Sequence, residues 1–189
     1  MKLEDRILYA DMLECRRKKG KIYYEDSHGL LIESPKSHML YCAAENKASA
    51  KAVVAHLPSS FAILVAHDMY TDRFIQQQYH ITCELRCYHS AYIEKTLPQV
   101  KLPHGFTMQT LTEAYIPEII ALYKHSMPSL ATVEYIKECL NDDMFAVFDK
   151  EILCGFIGVH EEESIGLLEV KQEYQRKGIA TALLQRAVQ

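Results

Sequence analysis

The spacing of apolar residues predicts that helices and strands alternate along the first half of the chain. Leu3, Ile7 and Leu8 start a helical stripe that leads into a basic cluster and ends at Gly20. Strands are predicted at 21–24, 29–33, 39–42, 61–66 and 81–88, and helices at 46–56 and 70–79. This alternation predicts a small α/β layer.

In the second half of the chain, the spacing of apolar residues predicts a different order of elements: strand, helix, helix, three strands and helix. Strands are predicted at 106–111, 144–148, 152–160 and 165–170, and one helical face carries Ile116, Ile119, Ile120 and Tyr123. Thr132 is predicted to cap a second helix carrying Val133, Ile136 and Leu140. The turns between the last three strands are short enough for antiparallel hairpins.

A linker is predicted between the two halves. Residues 97–105 hold two prolines and a glycine between periodic segments. We therefore expect a smaller N-terminal α/β domain over residues 1–100 and a second domain over residues 103–189.

Composition narrows the classes of protein. The chain has 189 residues, 49% of them hydrophobic, with a net charge of -4 and a pI near 6.1. An acidic balance gives no general attraction to nucleic acid or anionic lipid, so neither is an expected partner. The first residues lack the apolar core of a signal peptide, and no apolar run is long enough for a membrane span. We expect a cytoplasmic protein with reduced cysteines.

The segment 175–180, with the sequence QRKGIA, fits a Q/R-x-x-G-x-G/A pattern between a strand and a helix. Such a turn lets the backbone approach a ligand, and the first N–H groups of the helix bind phosphate oxygens. Arg176 and Lys177 oppose the helix dipole at this end, which indicates a bound anion. The alternative is an ordinary capped helix whose basic first turn is solvated.

The stretch 166–184, GLLEVKQEYQRKGIATALL, resembles the coenzyme-A motif of GNAT acyltransferases. The element order over residues 105–189 is similar to that fold, and the N-terminal domain resembles, more loosely, the extra domain of glycine N-acyltransferase-like members, a degenerate GNAT-like half. The resemblance implies a mixed α+β sheet, acetyl-coenzyme A as co-substrate, and transfer of its acyl group to a primary amine in a ternary complex.

The resemblance also implies roles for particular residues. Main-chain groups of Leu168 and Val170 would meet the pantetheine arm and the thioester carbonyl, and main-chain N–H groups of the following turn would hold the pyrophosphate. The residues expected to bind the cofactor are Leu168, Val170, Gln175, Arg176, Lys177, Gly178, Ile179, Ala180 and Thr181.

In that family a further strand, a helix and two more strands follow the motif helix. The resemblance therefore implies a fold that is incomplete at Gln189, with the general acid beyond that residue. An exposed edge beside the strand at 165–170 would invite pairing with another segment or with a second copy in a homodimer.

Acyl transfer to an amine needs a base and a stabilised oxyanion. Glu169, a lone carboxylate in an apolar strand, is the candidate base, and the Val170 N–H is the candidate oxyanion donor. Strand alternation points the Glu169 side chain away from the face of Leu168 and Val170, and an ion pair or solvent exposure is the alternative role. His160 and Glu162, near the preceding turn, are candidate substrate-binding residues, although a charged turn is usually only solvated.

The segment from His80 to His89 contains four residues that can ligate zinc, the others being Cys83 and Cys87. Alternation over 81–88 predicts a strand that buries both cysteines and strings the four groups along a line, so we expect no metal. Two other classes of protein remain: a binding or scaffold protein that has lost catalysis, and a nucleotide-phosphate binder that uses the same turn.

Overall fold

The chain forms two compact units, Met1–Ala91 and Tyr92–Gln189. The computed structural model describes residues 7–124, 128 and 130–189. Over these ranges it is a mixed α/β structure with six α-helices and two four-stranded sheets. None of the described helices has the length and apolar character needed to cross a membrane. The division between the units falls before the predicted linker at 97–105.

The first unit is one sheet with its helices. Its elements are α1 (Ala10–Arg17), β1 (Lys21–Glu25), β2 (Gly29–Glu33), β3 (Leu40–Ala44), α2 (Lys47–Ala55), β4 (Leu64–Ala66) and α3 (Met69–Gln78). β1, β2 and β3 pair antiparallel in chain order, and β4 joins β3 in parallel through α2. Buried residues such as Leu31, Cys42 and Val53 form its core. These elements confirm the predicted ones with two exceptions. α1 begins at Ala10, after Ile7 and Leu8, which are exposed rather than part of a buried helical stripe, and β4 is shorter than predicted. Leu3 lies outside the described residues.

The strand predicted at 81–88 was wrong. These residues are exposed coil, and Cys83 and Cys87 are exposed rather than buried. Alternation describes only which residues could share a face. A strand also needs a neighbour with free main-chain groups, and no described strand pairs with this segment.

The second unit has the predicted order of elements. They are β5 (Phe106–Thr110), α4 (Ile116–Tyr123), α5 (Val133–Leu140), β6 (Phe145–Asp149), β7 (Ile152–Val159), β8 (Ile165–Val170) and α6 (Ile179–Ala187). All four strands pair antiparallel in chain order, which confirms the predicted hairpins. α6 packs Ile179 and Leu183 against Val147, Cys154 and Ile157 of the sheet.

α5 begins as predicted but buries a different face. The Thr132 hydroxyl accepts the N–H of Tyr135 at 3.2 Å, which confirms the cap. Val133 is 45% exposed, whereas Tyr135, Ile136 and Cys139 are buried. The buried stripe of this helix therefore brings a tyrosine and a cysteine inward, and this matters for the site.

Candidate active site

The turn between β8 and α6 has an unusual backbone geometry. A 3₁₀ turn over Gln172–Tyr174 is followed by Arg176 and Gly178, both in the left-handed region with φ of 62° and 84°. No side chain caps α6, so the N–H groups of its first turn have no acceptor from the helix or from a cap. Such N–H groups and the positive end of the helix dipole together favour a bound anion.

The charged side chains of this turn agree with that geometry. Arg176 and Lys177 are exposed, and neither forms an ion pair with any described residue. Lys177 Nζ lies 4.7 Å from the centroid of the Tyr174 ring, which holds it beside the turn. Two cations at the positive end of a helix repel its dipole, so a bound anion would relieve an unfavourable arrangement.

The corresponding helix of the first unit provides an internal contrast. Like α6, α2 follows three consecutive antiparallel strands, yet its first turn is capped by Asn46, whose side chain accepts the N–H of Ser49 at 3.0 Å. That side chain occupies a position an anion would need. Of these two helix starts, only that of α6 has the open geometry.

The main-chain groups of Val170 face an open edge of the second sheet. Gly155 and Val170 lie opposite each other, and the N–H of Lys171 donates to the Cys154 carbonyl at 2.8 Å. Because successive residues of an antiparallel strand direct their main-chain groups to alternate sides, those of Val170 point away from β7. No strand in the described ranges pairs with that side of β8. The Gln175 side chain donates to the Val170 carbonyl at 3.0 Å and ties the turn to the strand.

A β-bulge interrupts β8 beside this edge. Phe156 faces Glu169 and Gly158 faces Gly166, so two residues of β8 oppose one of β7. Leu167 is the bulge residue with a positive φ of 49°, which leucine rarely adopts. The bulge was not predicted, because nothing local in the sequence marks a left-handed leucine. Bulges locally bend a strand, and this one lies next to the residues expected to meet the thioester.

Glu169 lies on the opposite face of β8 from Leu168 and Val170, as strand alternation predicts. Leu168 and Val170 pack toward α6 in the core of the unit. Glu169 is half-buried, and its charge raises the pKa of Tyr123 in α4, with burial of the tyrosine as the larger cause. The carboxylate therefore belongs to the α4 side of the sheet.

The same tyrosine brings two predicted site residues together. The charge of Glu162 also raises the pKa of Tyr123, and it raises the pKa of Tyr135 after the larger effect of burial. Glu162 is buried, although it lies in a charged turn. Its Oε1 accepts the Ser164 hydroxyl at 2.7 Å, whereas its buried Oε2 has no hydrogen-bond partner among the described residues.

His160 completes this group of buried polar side chains. Its Nδ1 and the Tyr135 hydroxyl are 2.7 Å apart, and burial lowers the pKa of the imidazole despite the opposing charge of Glu162. The ring lies over Gly166, where a Cβ would come within 2.2 Å of Nε2. Glycine is therefore needed for the observed ring position. Burial also raises the pKa of the nearby Cys139 thiol to about 12, so this cysteine stays protonated.

Three predicted site residues, Glu162, Glu169 and His160, lie near three residues that were not predicted as part of the site. These three are Tyr123, Tyr135 and Cys139. We call these six residues the acidic tyrosine cluster. Tyr135 and Cys139 are four residues apart in α5, and this helical spacing was the available signal. The inward position of Glu162 had no such signal, because its neighbours in the turn are also glutamates.

Comparison with known proteins agrees with the fold. Residues 112–189 match the family model of an acetyltransferase (GNAT) domain, and this range contains the acidic tyrosine cluster and the turn between β8 and α6. No curated protein sequence matches the chain. The matched range runs from α4 to α6, so this part of the second unit is similar to a GNAT acetyltransferase domain.

Solved structures share the fold at low sequence identity. A Drosophila protein has 10% identity over 96% of this chain and 74% of its own, with a TM-score of 0.64. A GCN5-related N-acetyltransferase-like protein from Streptococcus suis has 13% identity over 98% of this chain and 81% of its own, with a TM-score of 0.56. A GCN5-related N-acetyltransferase from Kribbella flavida has 10% identity over 96% and 78%, with a TM-score of 0.55.

Proposed function

We propose that the chain is an N-acyltransferase that transfers the acyl group of acetyl-coenzyme A to a primary amine. The observation that carries this proposal is the start of α6, which has no side-chain cap and places Gly178 in the left-handed region. Arg176 and Lys177 in this turn form no ion pair with a described residue. The main-chain groups of Val170, in the preceding strand, face an open edge of the sheet. The start of α6 would bind a diphosphate, and the open edge of β8 would bind an extended arm that carries an amide or thioester.

The turn would hold the pyrophosphate through its backbone. The N–H groups from Arg176 to Thr181 line the start of the helix, and the absence of a Cβ at Gly178 leaves that backbone exposed. Arg176 and Lys177 would add full charges beside the phosphate oxygens. The pantetheine arm would then run along β8, where main-chain groups of Leu168 and Val170 face outward.

Acetyl-coenzyme A supplies an activated acyl group as a thioester. The Val170 N–H lies in the plane of the sheet at its open edge, so a carbonyl bound there is reachable from the face that Glu169 occupies. Glu169 can therefore accept a proton from the amine although its side chain points away from Leu168 and Val170. The Val170 N–H would stabilise the oxyanion. The N–C bond forms first and gives the tetrahedral oxyanion, the C–S bond breaks as this intermediate collapses, and the thiolate leaves while Glu169 holds the proton from the amine.

The amine would enter through the acidic tyrosine cluster. The buried Oε2 of Glu162 lacks a hydrogen-bond partner among the described residues, and an unpaired buried carboxylate oxygen is costly. An ammonium group would satisfy it. Burial keeps His160 neutral and the hydroxyl of Tyr135 protonated, so both side chains can form hydrogen bonds with a polar amine substrate.

Calorimetric titration with acetyl-coenzyme A, followed by measurement of thiol release with a panel of amines, tests the proposal. We expect saturable binding and amine-dependent thiol release. The absence of binding would contradict the proposal, and binding without turnover on any amine would favour a non-catalytic coenzyme-A-binding protein. Competition by ATP as strong as that by coenzyme A would favour a nucleotide-phosphate binder.

Two matched pairs of variants assign the carboxylates. Glu169→Gln should lower the turnover number by about 10²–10⁴-fold while acetyl-coenzyme A still binds, and Glu173→Gln, in an exposed turn, should not. Glu162→Gln should raise the KM for the amine more than it lowers kcat. Glu163→Gln, at the exposed neighbouring position, is its control.

A further inference from the structure

Three metal-ligating side chains meet in the first unit, and none of them has a role in the proposed acyl transfer. Asp11, His67 and His89 each offer one ligand atom, and the three atoms lie within 4.8 Å of one another. They come from three separate segments: the first turn of α1, the residue after β4, and the coil that follows α3.

The two buried members are fixed by the fold. The N–H of His67 donates to the Cys42 carbonyl at 3.0 Å, which continues the pairing of β4 with β3. Asp11 Oδ1 accepts the N–H of Met12 at 2.7 Å, and this leaves Oδ2 directed toward His67, 3.0 Å from Nε2. Two ligand atoms are therefore placed by a strand end and a helix, which makes their separation well defined.

His67 has the burial expected of a metal ligand. Its side chain is 3% exposed, and its buried Nε2 forms no hydrogen bond with any described residue. The Asp11 carboxylate oxygen lies 3.0 Å from this nitrogen but forms no hydrogen bond with it. A buried ring nitrogen without a hydrogen bond is energetically unfavourable.

We propose that Asp11, His67 and His89 bind a divalent transition-metal ion, and that Zn²⁺ suits them best. Two imidazoles and a carboxylate are a common set of zinc ligands, at about 2.0–2.2 Å from the ion. Tetrahedral angles at those lengths place ligand atoms about 3.3 Å apart, close to the separation between His67 and Asp11. His89 is exposed, so its side chain can move to close the site and a fourth position stays open to water.

This site differs from the zinc pattern weighed in the sequence. It shares only His89 with the segment 80–89, and Cys83 and Cys87 take no part. Bound metal would join the exposed coil to α1 and to the end of β4, and it would stabilise the first unit in proportion to its occupancy. The proposal does not rest on the acyltransferase assignment, because no residue of the second unit is involved.

Titration of the chelator-treated full-length protein with Co²⁺, followed by displacement with Zn²⁺, tests the site. We expect one ion per chain, a visible d–d absorption band for bound Co²⁺, loss of that band when Zn²⁺ is added, and a higher unfolding temperature with Zn²⁺. His89→Gln is the most informative variant. Its exposed side chain lies in coil and is not needed for folding, so a loss of metal binding would not result from misfolding.

His89→Gln and Asp11→Asn should each weaken Zn²⁺ binding by about 10–100-fold or more. Loss of a residue that only hydrogen-bonds to a metal ligand already has an effect of that size, and these two residues are proposed ligands. His80→Gln, in the same coil, and the double variant Cys83→Ser/Cys87→Ser should bind as the parent does. The proposal is overturned if the parent does not bind either ion, if His89→Gln binds as tightly as the parent, or if the cysteine variant loses binding.

Discussion

Alanine substitutions at two glycines with nearly the same φ can distinguish a structural role from a binding role. Gly178 has φ of 84° and Gly105 has φ of 87°. A Cβ added to Gly178 would meet only Pro103 Cγ, at 3.5 Å, and one added to Gly105 would meet nothing within 4 Å. Neither alanine would clash, so each substitution costs only the left-handed conformation, about 1–2 kcal/mol in the free energy of unfolding.

The two variants should differ in affinity for acetyl-coenzyme A. Gly105→Ala should bind as the parent does. Gly178→Ala should bind about tenfold more weakly or worse, because relaxation of the strained backbone moves the N–H groups that would hold the pyrophosphate. Tenfold corresponds to about 1.4 kcal/mol, which is less than one hydrogen bond to a charged group.

Urea unfolding measures the stability of both variants, and calorimetry measures their affinity. Parent-like affinity in both variants, at equal loss of stability, would refute the role given to the turn. Equal weakening in both would show that the loss of affinity follows from general destabilisation.

Replacing both Arg176 and Lys177 by Gln should weaken acetyl-coenzyme A binding and flatten its dependence on salt, because exposed charges are screened. Thr132→Ala should lower the free energy of unfolding by about 1 kcal/mol in urea, because the Tyr135 N–H loses its acceptor. Burial lowers the pKa of His160 below 6.5, so the unfolded chain binds more protons in acid. The stability from neutral His160 is complete above pH 6.5 and is lost as the pH falls through the lowered pKa. The stability difference between the parent and His160→Gln should therefore narrow in acid, and a constant difference would contradict this account.

Local pattern sufficed wherever neighbouring elements along the chain are also neighbours in space. β6, β7 and β8 follow one another through short turns, so alternation and turn length predicted their pairing. The same logic failed at 81–88, where a strand would need a partner from elsewhere. The start of α6 was predictable because its glycine, its basic residues and the preceding strand lie within a few positions of each other.

The parts of the site that were missed depend on distant contacts. Glu162 lies in a run of glutamates that predicts a solvated turn, yet the hairpin folds this one side chain inward. The bulge at Leu167 requires the opposing strand and cannot be read from β8 alone. Asp11 and His67 meet only because the first sheet brings α1 and the end of β4 together.

The two units share an order of elements. Each has three consecutive antiparallel strands followed by a helix, and in the first unit β4 then adds in parallel beside β3. The idea that the first unit is a degenerate GNAT-like half stays a prediction, and this shared order supports it. The Asn46 cap on α2 explains why such a copy would not bind coenzyme A.

Hydrogen exchange with and without acetyl-coenzyme A tests the central claim most directly, because it reports where the ligand meets backbone N–H groups. We predict slower exchange at 176–181 when the ligand is bound, and unchanged exchange at 47–50, the capped start of α2. Unchanged exchange at 176–181 with saturating ligand, or equal slowing at both helix starts, would contradict the account.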